Sequence, residues 1–499
     1  MPPSVTQTIR KTAATPPGFL DRDAFELKCV REMILVIQDL WELHSFEMLD
    51  TPIVEYTEAL GKFLPDQDRP GAGVFSWQDA DEHWLSLRYD LTAPLARFAA
   101  QNWNTLPKPY RNCRIGWVFR DEKPGLNRFR QFMQCDADIL GVDSVMADAE
   151  LFVLMAKTLE AIGCSPMSYE IRVNNRKTID GLLFSMEPNE EPGTQSDRRL
   201  RILRGIDKLE RLGIDGVTDL LGPGRMDESG DFTEGAKLRD PEIAKILLFL
   251  EAGTGTEKCS EETISTMEGL IGDNPIGREG ISELRQMHEF VSDMGYSDSR
   301  FRLDPSVVRG LDYYTGLIYE ANLLTGKDRL SSVGGGGRYN GLVTRFLPQV
   351  SLDDSAASGF SIGISRLFSI LNGPEGPTSE TRKLITGPVI IAAVEPSYSS
   401  HYQELATRLR QAGIKTEVYL GTSSLKSQMK YADRKNSPCV VLRGKMEMQQ
   451  GIVQIKDLAL GKELSKQISS NQEWRADRPA QISIHEDRMV EAVEEILAR

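Results

Sequence analysis

Gly116-Trp-Val-Phe-Arg120-Asp-Glu122 and Arg128-Phe-Arg-Gln-Phe-Met-Gln134-Cys-Asp-Ala-Asp138 are two strand-like segments that a loop at residues 123–127 connects. We expect the second segment to return alongside the first as a paired strand. Alternation with period two then places one set of side chains on a common face: Arg128, Arg130, Phe132, Gln134, Asp136 and Asp138. That face offers cations to the anionic end of a ligand and carboxylates to a cationic end. A solvated strand face crossed by salt bridges is the alternative interpretation.

A second strand-like stretch is Arg309-Gly-Leu-Asp-Tyr313-Tyr314-Thr-Gly316, which holds an arginine, a carboxylate and two tyrosines. In an extended strand, Tyr313 would share one face with its alternate neighbours and Tyr314 the other. Such a strand can bring a fixed cation and phenolic hydroxyls to the wall of a pocket. An edge strand with aromatic packing across the sheet is the alternative.

Three shorter motifs accompany these strands. Leu87-Arg-Tyr-Asp90-Leu91-Thr92 precedes a predicted helix, so Asp90 or Thr92 could cap that helix or bind an ammonium group. A glycine run at residues 334–337 lets a ligand approach the backbone closely, although it fits neither a P-loop nor a dinucleotide fingerprint. The segment at residues 359–367 reads as a strand that runs into a helix with Arg366 at its start.

Composition restricts the classes of protein that fit. With 499 residues, of which 40% are hydrophobic and 26% charged, the chain should form two to four globular domains. It has no apolar run long enough for a membrane span and no secretory signal, so we expect a cytoplasmic protein. Six scattered cysteines and five scattered histidines suggest neither a disulfide framework nor a zinc site. The net charge of −14 argues against indiscriminate binding to nucleic acid, but residues 108–130 and 404–445 are locally basic.

The periodicity predicts an α/β protein. We expect an α+β domain with a mixed antiparallel sheet flanked by helices over residues 18–186 and 301–372, interrupted by a helical insertion at residues 187–300. A linker at residues 371–386 leads to a C-terminal α/β domain at residues 386–499, with a mainly parallel sheet. Near the N-terminus, a long amphipathic helix leads into a strand that Pro52 interrupts, which is typical of an edge strand and allows pairing with another chain.

Taken together, the motifs closely resemble those of histidyl-tRNA synthetase, a family of class II aminoacyl-tRNA synthetases. Pro52 and its flanks resemble motif 1, the dimer strand, and the hairpin around Arg120 and Arg128 resembles motif 2. Gly363-Ile-Ser-Arg366-Leu resembles motif 3, with Ser365 where many relatives carry a glutamate. The stretch around Arg309 and the sequence Gly335-Gly-Gly-Arg-Tyr339 resemble the two signatures peculiar to the histidine enzymes, and Asn174-Asn-Arg-Lys177 also matches.

The resemblance implies a role for each matching residue. Arg120 and Arg309 would be the catalytic residues, because both would neutralise charge at the α-phosphate of ATP. The remaining ATP contacts implied are Glu122, Arg128 and Arg366, the last of these to the γ-phosphate. The implied histidine site consists of Asp90, Leu91, Thr92, Arg120, Gln134, Asp138, Arg309, Tyr313 and Tyr314. Within it, Asp90, Thr92 and Gln134 would bind the α-amino end. Asp138 and Tyr313 would bind the imidazole ring.

The resemblance also implies a reaction and its partners. L-histidine would be activated with ATP to histidyl-adenylate and pyrophosphate, and then transferred to the 3′ end of tRNA(His) by a homodimer. Mg²⁺ would accompany ATP, held largely by phosphate oxygens and water, with no metal site built by the protein. The C-terminal domain would bind the anticodon.

Two other functions remain open from the sequence. One is a synthetase-like regulatory subunit that binds histidine without catalysis, although such paralogues generally lack the last domain and lose ATP-binding arginines. The other is a nucleic-acid-binding module without chemistry, which would have no use for the acidic pocket around Asp90 and Asp138.

Overall fold

The computed structural model describes residues 13–60, 73–125, 128–186, 197–226, 230, 232–253, 260–296, 300–308, 314–325, 329–372, 387–464 and 480–498. The chain divides into two compact units, Met1–Gly376 and Pro377–Arg499. Among the helices in these ranges, none combines the length and the apolar character that crossing a bilayer requires. The mixture of helices with mixed sheets confirms the predicted α/β class.

An eight-stranded sheet forms the centre of the first unit, in the order β1-β5-β6-β13-β12-β11-β7-β10. The inner strands from β5 to β7 pair antiparallel, while β1 and β10 join the two edges in parallel. These strands are β1 (Glu47–Met48), β5 (Tyr110–Phe119), β6 (Gln131–Leu140), β7 (Tyr169–Asn175), β10 (Phe301–Leu303), β11 (Leu317–Thr325), β12 (Arg329–Arg338) and β13 (Ala357–Gly363). The hairpin predicted around residues 116–138 is the β5–β6 pair. A small separate sheet joins β2 (Val54–Tyr56), β3 (Ser76–Gln78) and β4 (Trp84–Leu87).

Helices cover one face of the large sheet because their apolar stripes recur at helical spacing. Helix α1 (Ala24–Leu43) starts where the Asp23 carboxylate accepts a hydrogen bond from the Glu26 amide at 2.9 Å. Its buried Trp41 packs edge-on against Phe360 of β13 and donates to the Thr158 hydroxyl at 2.8 Å. Thr158 lies on α4, so this contact joins two helices and the sheet in one core. The other helices of this part are α2 (Thr57–Leu60), α3 (Thr92–Asn102), α4 (Val145–Ala161), α5 (Arg176–Met186) and α11 (Ile364–Leu371).

The segment predicted as a helical insertion is helical in its described part. Its elements are α6 (Asp197–Ile206), α7 (Leu209–Leu221), the hairpin β8 (Gly224–Met226) with β9 (Phe232–Glu234), α8 (Asp240–Glu251), α9 (Ser260–Ile271) and α10 (Pro275–Asp293). Helix α10 packs on α4, α5 and β7. Its Glu283 accepts a hydrogen bond from Arg338 of β12 at 2.9 Å, so this helix is tied to the central sheet by a buried ion pair.

The second unit contains a five-stranded sheet in the order β15-β14-β16-β17-β18. Three of its strands, β14 (Val389–Ala392), β15 (Thr416–Val418) and β16 (Cys439–Leu442), pair in parallel, as the predicted parallel sheet requires. Two further strands, β17 (Ile452–Asp457) and β18 (Gln481–His485), add antiparallel pairings, so the sheet is mixed. Its helices are α12 (Ser399–Gln411), α13 (Leu425–Arg434), α14 (Lys445–Gln450), α15 (Leu458–Leu464) and α16 (Met489–Leu497).

Two local predictions need correction. The strand expected across residues 309–316 is wrong where the structure describes it, because residues 314–316 precede β11, which begins at Leu317. Arg309 and Tyr313 lie outside the described residues. The strand expected around Pro52 is two short strands, β1 and β2, with Pro52 between them, because a proline cannot donate to a strand ladder.

Candidate active site

One cavity in the first unit is lined by residues from the β5–β6 hairpin, β12, β13 and the starts of α3 and α11. Most of the predicted site residues line this cavity, namely Asp90, Thr92, Arg120, Glu122, Arg128, Gln134, Asp138, Tyr314 and Arg366. Leu91 is buried and does not belong to the lining. Arg309 and Tyr313 are outside the described residues. Segments that are far apart in sequence are therefore brought to a single pocket.

The alternation of β6 is what presents the polar side chains to the cavity. Gln134, Asp136 and Asp138 line it, whereas Cys135 and Ala137 between them belong to the hydrophobic core. The strand is paired on both sides, with β5 and with β13, so its register is fixed. A central strand with one polar face can hold these groups rigidly. The predicted ligand-binding face of the hairpin depends on such a strand.

The two carboxylate oxygens of Asp90 have different surroundings. Its Oδ1 accepts hydrogen bonds from the backbone amides of Thr92 and Ala93, at 3.1 and 2.9 Å, and so caps the start of α3. Its Oδ2 is buried and has no hydrogen-bond partner among the described residues. Burial raises the pKa of this carboxyl group. The capping and ligand-binding interpretations of Asp90 are therefore compatible.

Asp138 is held in place by two hydrogen bonds. The buried Arg114 guanidinium donates to its Oδ2, and the Tyr339 hydroxyl donates to its Oδ1. A Cβ atom at Gly359, directly opposite on β13, would lie 1.8 Å from Asp138 Oδ1. Glycine is thus required there because the carboxylate occupies the space that any side chain would fill. Arg114 was not predicted as a partner of Asp138: the β5–β6 register places it opposite Asp136, and its bond to Asp138 is diagonal across the two strands.

The wider end of the cavity is cationic. The Arg120 guanidinium lies 4.3 Å from the centre of the Tyr89 ring and 5.2 Å from that of Phe132, which fixes its plane. The Glu122 carboxylate accepts from the Tyr89 hydroxyl at 3.3 Å. Arg128 and Arg366 are exposed at the same cavity. Planar guanidinium groups of this kind suit the oxygens of a polyphosphate.

Arg130 differs from the predicted pattern. It was expected on the same face as Gln134, but its guanidinium donates to the backbone carbonyl of Glu122 at 2.9 Å and pairs with Asp121 at 3.0 Å. It lies before β6, which begins at Gln131, so strand alternation does not reach it. Arg130 therefore braces the hairpin loop.

Several lining residues were absent from the predicted site. They are Asp136, Tyr319, Glu320 and Ser361, together with the glycines of β12. Asp136 could have been found, because it shares the strand face of Gln134 and Asp138. The glycines at residues 334–337 allow strands to approach closely, since a Cβ atom at Gly336 would lie 2.2 Å from the Gly359 carbonyl oxygen. Sequence alone cannot show that neighbour.

Comparisons with known proteins agree over nearly the whole chain. A family model described as histidyl-tRNA synthetase matches residues 18–367, and one described as anticodon binding domain matches residues 388–494. A histidine–tRNA ligase from Bartonella quintana (strain Toulouse) is 50% identical over 499 residues, covering 97% of each chain. The histidine–tRNA ligase of Brucella suis biovar 1 (strain 1330) is 50% identical over 495 residues, covering 97% of this chain and 96% of the relative.

Solved structures show the same fold. The histidyl-tRNA synthetase of Nostoc sp. PCC 7120 superposes with a TM-score of 0.66 at 24% identity, covering 97% of this chain and 100% of that one. A Bacillus halodurans protein described as an ATP phosphoribosyltransferase regulatory subunit/histidyl-tRNA synthetase has a TM-score of 0.64 at 21% identity. The superposition covers 86% of this chain and 98% of the Bacillus halodurans chain.

Proposed function

The chain belongs to the histidyl-tRNA synthetase family, and we propose that the pocket described above carries out the histidine–tRNA ligase reaction. The enzyme activates L-histidine with ATP, releasing pyrophosphate, and then transfers histidine from the adenylate to the 3′ end of tRNA(His). The observation that supports this assignment best is the convergence of Arg120 and Arg366 with Asp90 and Gln134 in one cavity. Cations for a nucleotide and acceptors for an amino acid then lie side by side.

The exposed end of the cavity suits ATP. Arg120 is positioned to contact the α-phosphate and the histidine carboxylate together, which would bring nucleophile and electrophile into line. Arg128, Glu122 and Arg366 would hold the rest of ATP, with Arg366 on the γ-phosphate. Arg309 is proposed to stabilise charge on the α-phosphate as the carboxylate attacks.

The buried end of the cavity suits histidine. Asp90 Oδ2, which has no hydrogen-bond partner among the described residues, would receive the α-ammonium group together with Thr92 and Gln134. Asp138 would accept from the imidazole ring, Tyr313 is proposed as a second partner of the ring, and Tyr314 would line the pocket. Each oxygen of Asp138 already accepts one hydrogen bond, Oδ2 from Arg114 and Oδ1 from Tyr339. A carboxylate oxygen can accept a second, so the ring can still donate to Asp138.

The chemistry follows from these positions without a covalent enzyme intermediate. The histidine carboxylate attacks the α-phosphate and pyrophosphate leaves. The 3′-terminal ribose hydroxyl of the tRNA then attacks the activated carbonyl and releases AMP. The protein contributes orientation and charge stabilisation in both steps.

Mg²⁺ is proposed to accompany ATP. The lining includes the carboxylates Glu122 and Glu320, and oxygen donors of this type suit a hard cation that keeps much of its water and its phosphate ligands. When bound, the ion would neutralise phosphate charge.

The second unit is proposed to bind the anticodon of tRNA(His). Two observations support this role: the match to the anticodon binding domain over residues 388–494, and the basic excess of residues 404–445. We also expect the enzyme to act in the cytoplasm, where tRNA is charged for translation.

A homodimer through the Pro52 region is proposed from the surface of the first unit. Large apolar side chains are exposed on both sides of Pro52, with Leu43 at 84%, Met48 at 51% and Tyr56 at 56% exposure. They lie at the end of α1 and on the edge strands, where unpaired backbone groups invite another chain. A second copy of this chain would cover them.

A regulatory, non-catalytic role is less well supported. The Bacillus halodurans neighbour carries such a description in part, but its 21% identity indicates a shared fold alone. This chain keeps Arg120 and Arg366 in the cavity and has a second unit that matches the anticodon binding domain.

Pyrophosphate exchange into ATP tests the proposed function directly. Purified enzyme is assayed without tRNA against each of the twenty amino acids, and histidine alone should support exchange. Charging of tRNA(His) should follow when tRNA is added. No exchange with histidine, or equal exchange with another amino acid, would refute the assignment.

A further inference from the structure

Besides the Ser361 hydroxyl, three buried carboxylate or amide oxygens in the cavity have no hydrogen-bond partner among the described residues. They are Asp90 Oδ2, Gln134 Oε1 and Asp136 Oδ1. Their residues are 4%, 8% and 2% exposed, so bulk water does not solvate them freely. A buried acceptor without a partner costs free energy, and three in one ligand cavity indicate a ligand that donates several hydrogen bonds.

The acceptors come from two elements that meet at the cavity. Gln134 and Asp136 are two residues apart on β6 and share its polar face, while Asp90 lies before α3. Asp90 and Asp136 both line this cavity, and the charge of Asp90 is among the causes that raise the pKa of Asp136. Two carboxyl groups and an amide oxygen around one space suit a positively charged group with several N–H donors.

We propose that Asp136 is a third acceptor for the α-ammonium group of histidine, in addition to Asp90 and Gln134. The proposal rests on the proposed function and extends it, since it assigns amino-group recognition to a residue outside the predicted site. An ammonium group has three N–H donors and one positive charge, which match three acceptors of which two are ionisable. The same group would lower the cost of keeping Asp136 ionised in the cavity.

The nearest alternative is that Asp136 serves only as a counter-ion of Arg114. The Arg114 guanidinium is 4.0 Å from the Asp136 carboxylate but bonds Asp138 directly, so its closest carboxylate partner is Asp138. Ser361 lies opposite Asp136 on β13, and its hydroxyl offsets part of the rise in the pKa of Asp136. Among the described residues, however, neither Ser361 Oγ nor Asp136 Oδ1 has a hydrogen bond of normal geometry.

The ionisation of Asp136 should make histidine binding depend on pH. A purely structural role as a counter-ion of Arg114 would not give this dependence. Burial raises its pKa to about 7, with Asp138 and Asp90 adding to the rise and Arg114 opposing it. The Asp136 charge also acts on the buried Arg88, whose pKa burial lowers, and β13 carries no titratable group. Deprotonation of Asp136 between pH 6 and 8.5 should therefore strengthen binding of a ligand with an ammonium group.

The test compares histidine with 3-(imidazol-4-yl)propionate, which has the same ring and carboxylate but no amino group. The full-length wild-type enzyme, Asp136→Asn and Asp136→Ser are assayed by pyrophosphate exchange, with the propionate as a competitive inhibitor. Asp121→Asn is the matched control, because Asp121 is a carboxylate of the same hairpin outside the cavity lining. We expect the KM for histidine to rise about ten- to a hundredfold in the Asp136 variants, as for a lost charge-assisted hydrogen bond. The inhibition constant of the propionate should change little.

The wild-type enzyme provides a second measurement if the variants do not fold. The ratio of the propionate inhibition constant to the histidine KM should rise about tenfold from pH 6 to 8.5, as one group with a pKa near 7 loses its proton. The imidazole ring titrates at a higher pH in the propionate, which lacks the nearby ammonium charge, so each constant is first corrected to the neutral-ring form with the ring pKa measured for that ligand. A flat ratio, equal losses for both ligands in Asp136→Asn, or a pH dependence that this variant retains would each overturn the proposal. Absence of histidine-dependent exchange in the wild type would instead refute the proposed function.

Discussion

Gly359→Ala should damage the histidine end of the cavity through a single methyl group. The new Cβ would lie 1.8 Å from Asp138 Oδ1 and 2.4 Å from its Cγ, where ordinary contact begins at 3.4 Å. The carboxyl group would therefore have to move by about 1.6 Å, far more than a packed interior absorbs without cost. Because Asp138 is buried on a central strand, its backbone cannot easily make room.

The magnitude follows from what that movement breaks. A shift of this size separates Asp138 from the Tyr339 hydroxyl and disturbs its bond to Arg114. Overpacking costs about 1–3 kcal/mol and a lost hydrogen bond to a charged group about 1.5–3 kcal/mol, so the free energy of unfolding should fall by about 3–5 kcal/mol. A misplacement of about 1 Å in a positioning group lowers kcat/KM on the order of a hundredfold, which is expected here for histidine.

Urea unfolding and pyrophosphate exchange measure the two effects. Gly363→Ala on the same strand is the control for stability, because its Cβ would meet nothing closer than 3.6 Å and its φ is −80°. Its free energy of unfolding should stay within about 1 kcal/mol of the wild type. If Gly359→Ala unfolds at the same urea concentration as Gly363→Ala and keeps the wild-type KM for histidine, Asp138 is not fixed as described.

Three further predictions test other parts of the chain. Arg309→Ala should lower the exchange rate severely with little loss of thermal stability, because its proposed role is in the transition state; unchanged exchange would contradict that role. Arg338→Met should cost about 3–5 kcal/mol in urea unfolding, since it leaves the fully buried Asp148 without its cation, whereas Arg285→Met, in an exposed ion pair, should cost under about 1 kcal/mol. Burial raises the pKa of Asp148, and Arg338 opposes this rise. Without Arg338, ionised Asp148 is less stable in the folded protein, so the loss in free energy of unfolding caused by Arg338→Met should grow as pH rises from 5 to 8. A loss that does not change with pH would exclude this cause. Ile53→Glu should shift the protein from dimer to monomer in sedimentation velocity, because Ile53 is exposed beside the proposed interface, and an unchanged dimer would place the interface elsewhere.

The β5–β6 hairpin was predictable because its alternation is set by local sequence. A strand buried on one face repeats every two residues, so the polar face of β6 from Gln134 to Asp138 could be read before any partner was known. Strand β17 carried the same signal, with Val453 and Ile455 buried at alternate positions, and was missed beside the stronger apolar runs of the parallel strands. Asp90 illustrates the limit of that approach, since only the fold shows that one oxygen caps α3 while the other remains available.

What the sequence could not show is where different strands come closest. The glycine run of β12 was interpreted as space for a ligand, and Gly334, Gly335 and Gly336 do line the cavity. The sequence did not show that Gly336 also makes room for the neighbouring backbone at Gly359. The state of Asp136 likewise depends on Arg114 across the β5–β6 pair and on Ser361 across the β6–β13 pair. These neighbours are set by register over long sequence separations, which local periodicity does not encode.

The cavity has buried polar residues and exposed arginines, and this difference indicates how the two substrates are arranged. The acceptors that lack a partner in the described part of the chain are buried, whereas Arg128 and Arg366 are exposed at the same cavity. A buried acceptor recovers its desolvation cost only from a ligand that donates to it, and a small amino acid can supply such donors in an enclosed space. A polyphosphate stays strongly hydrated and is better held by flexible cations near solvent. The reactive carboxylate must then lie between the two regions, and Arg120, partly buried and stacked on Tyr89, is the cation positioned to meet it there.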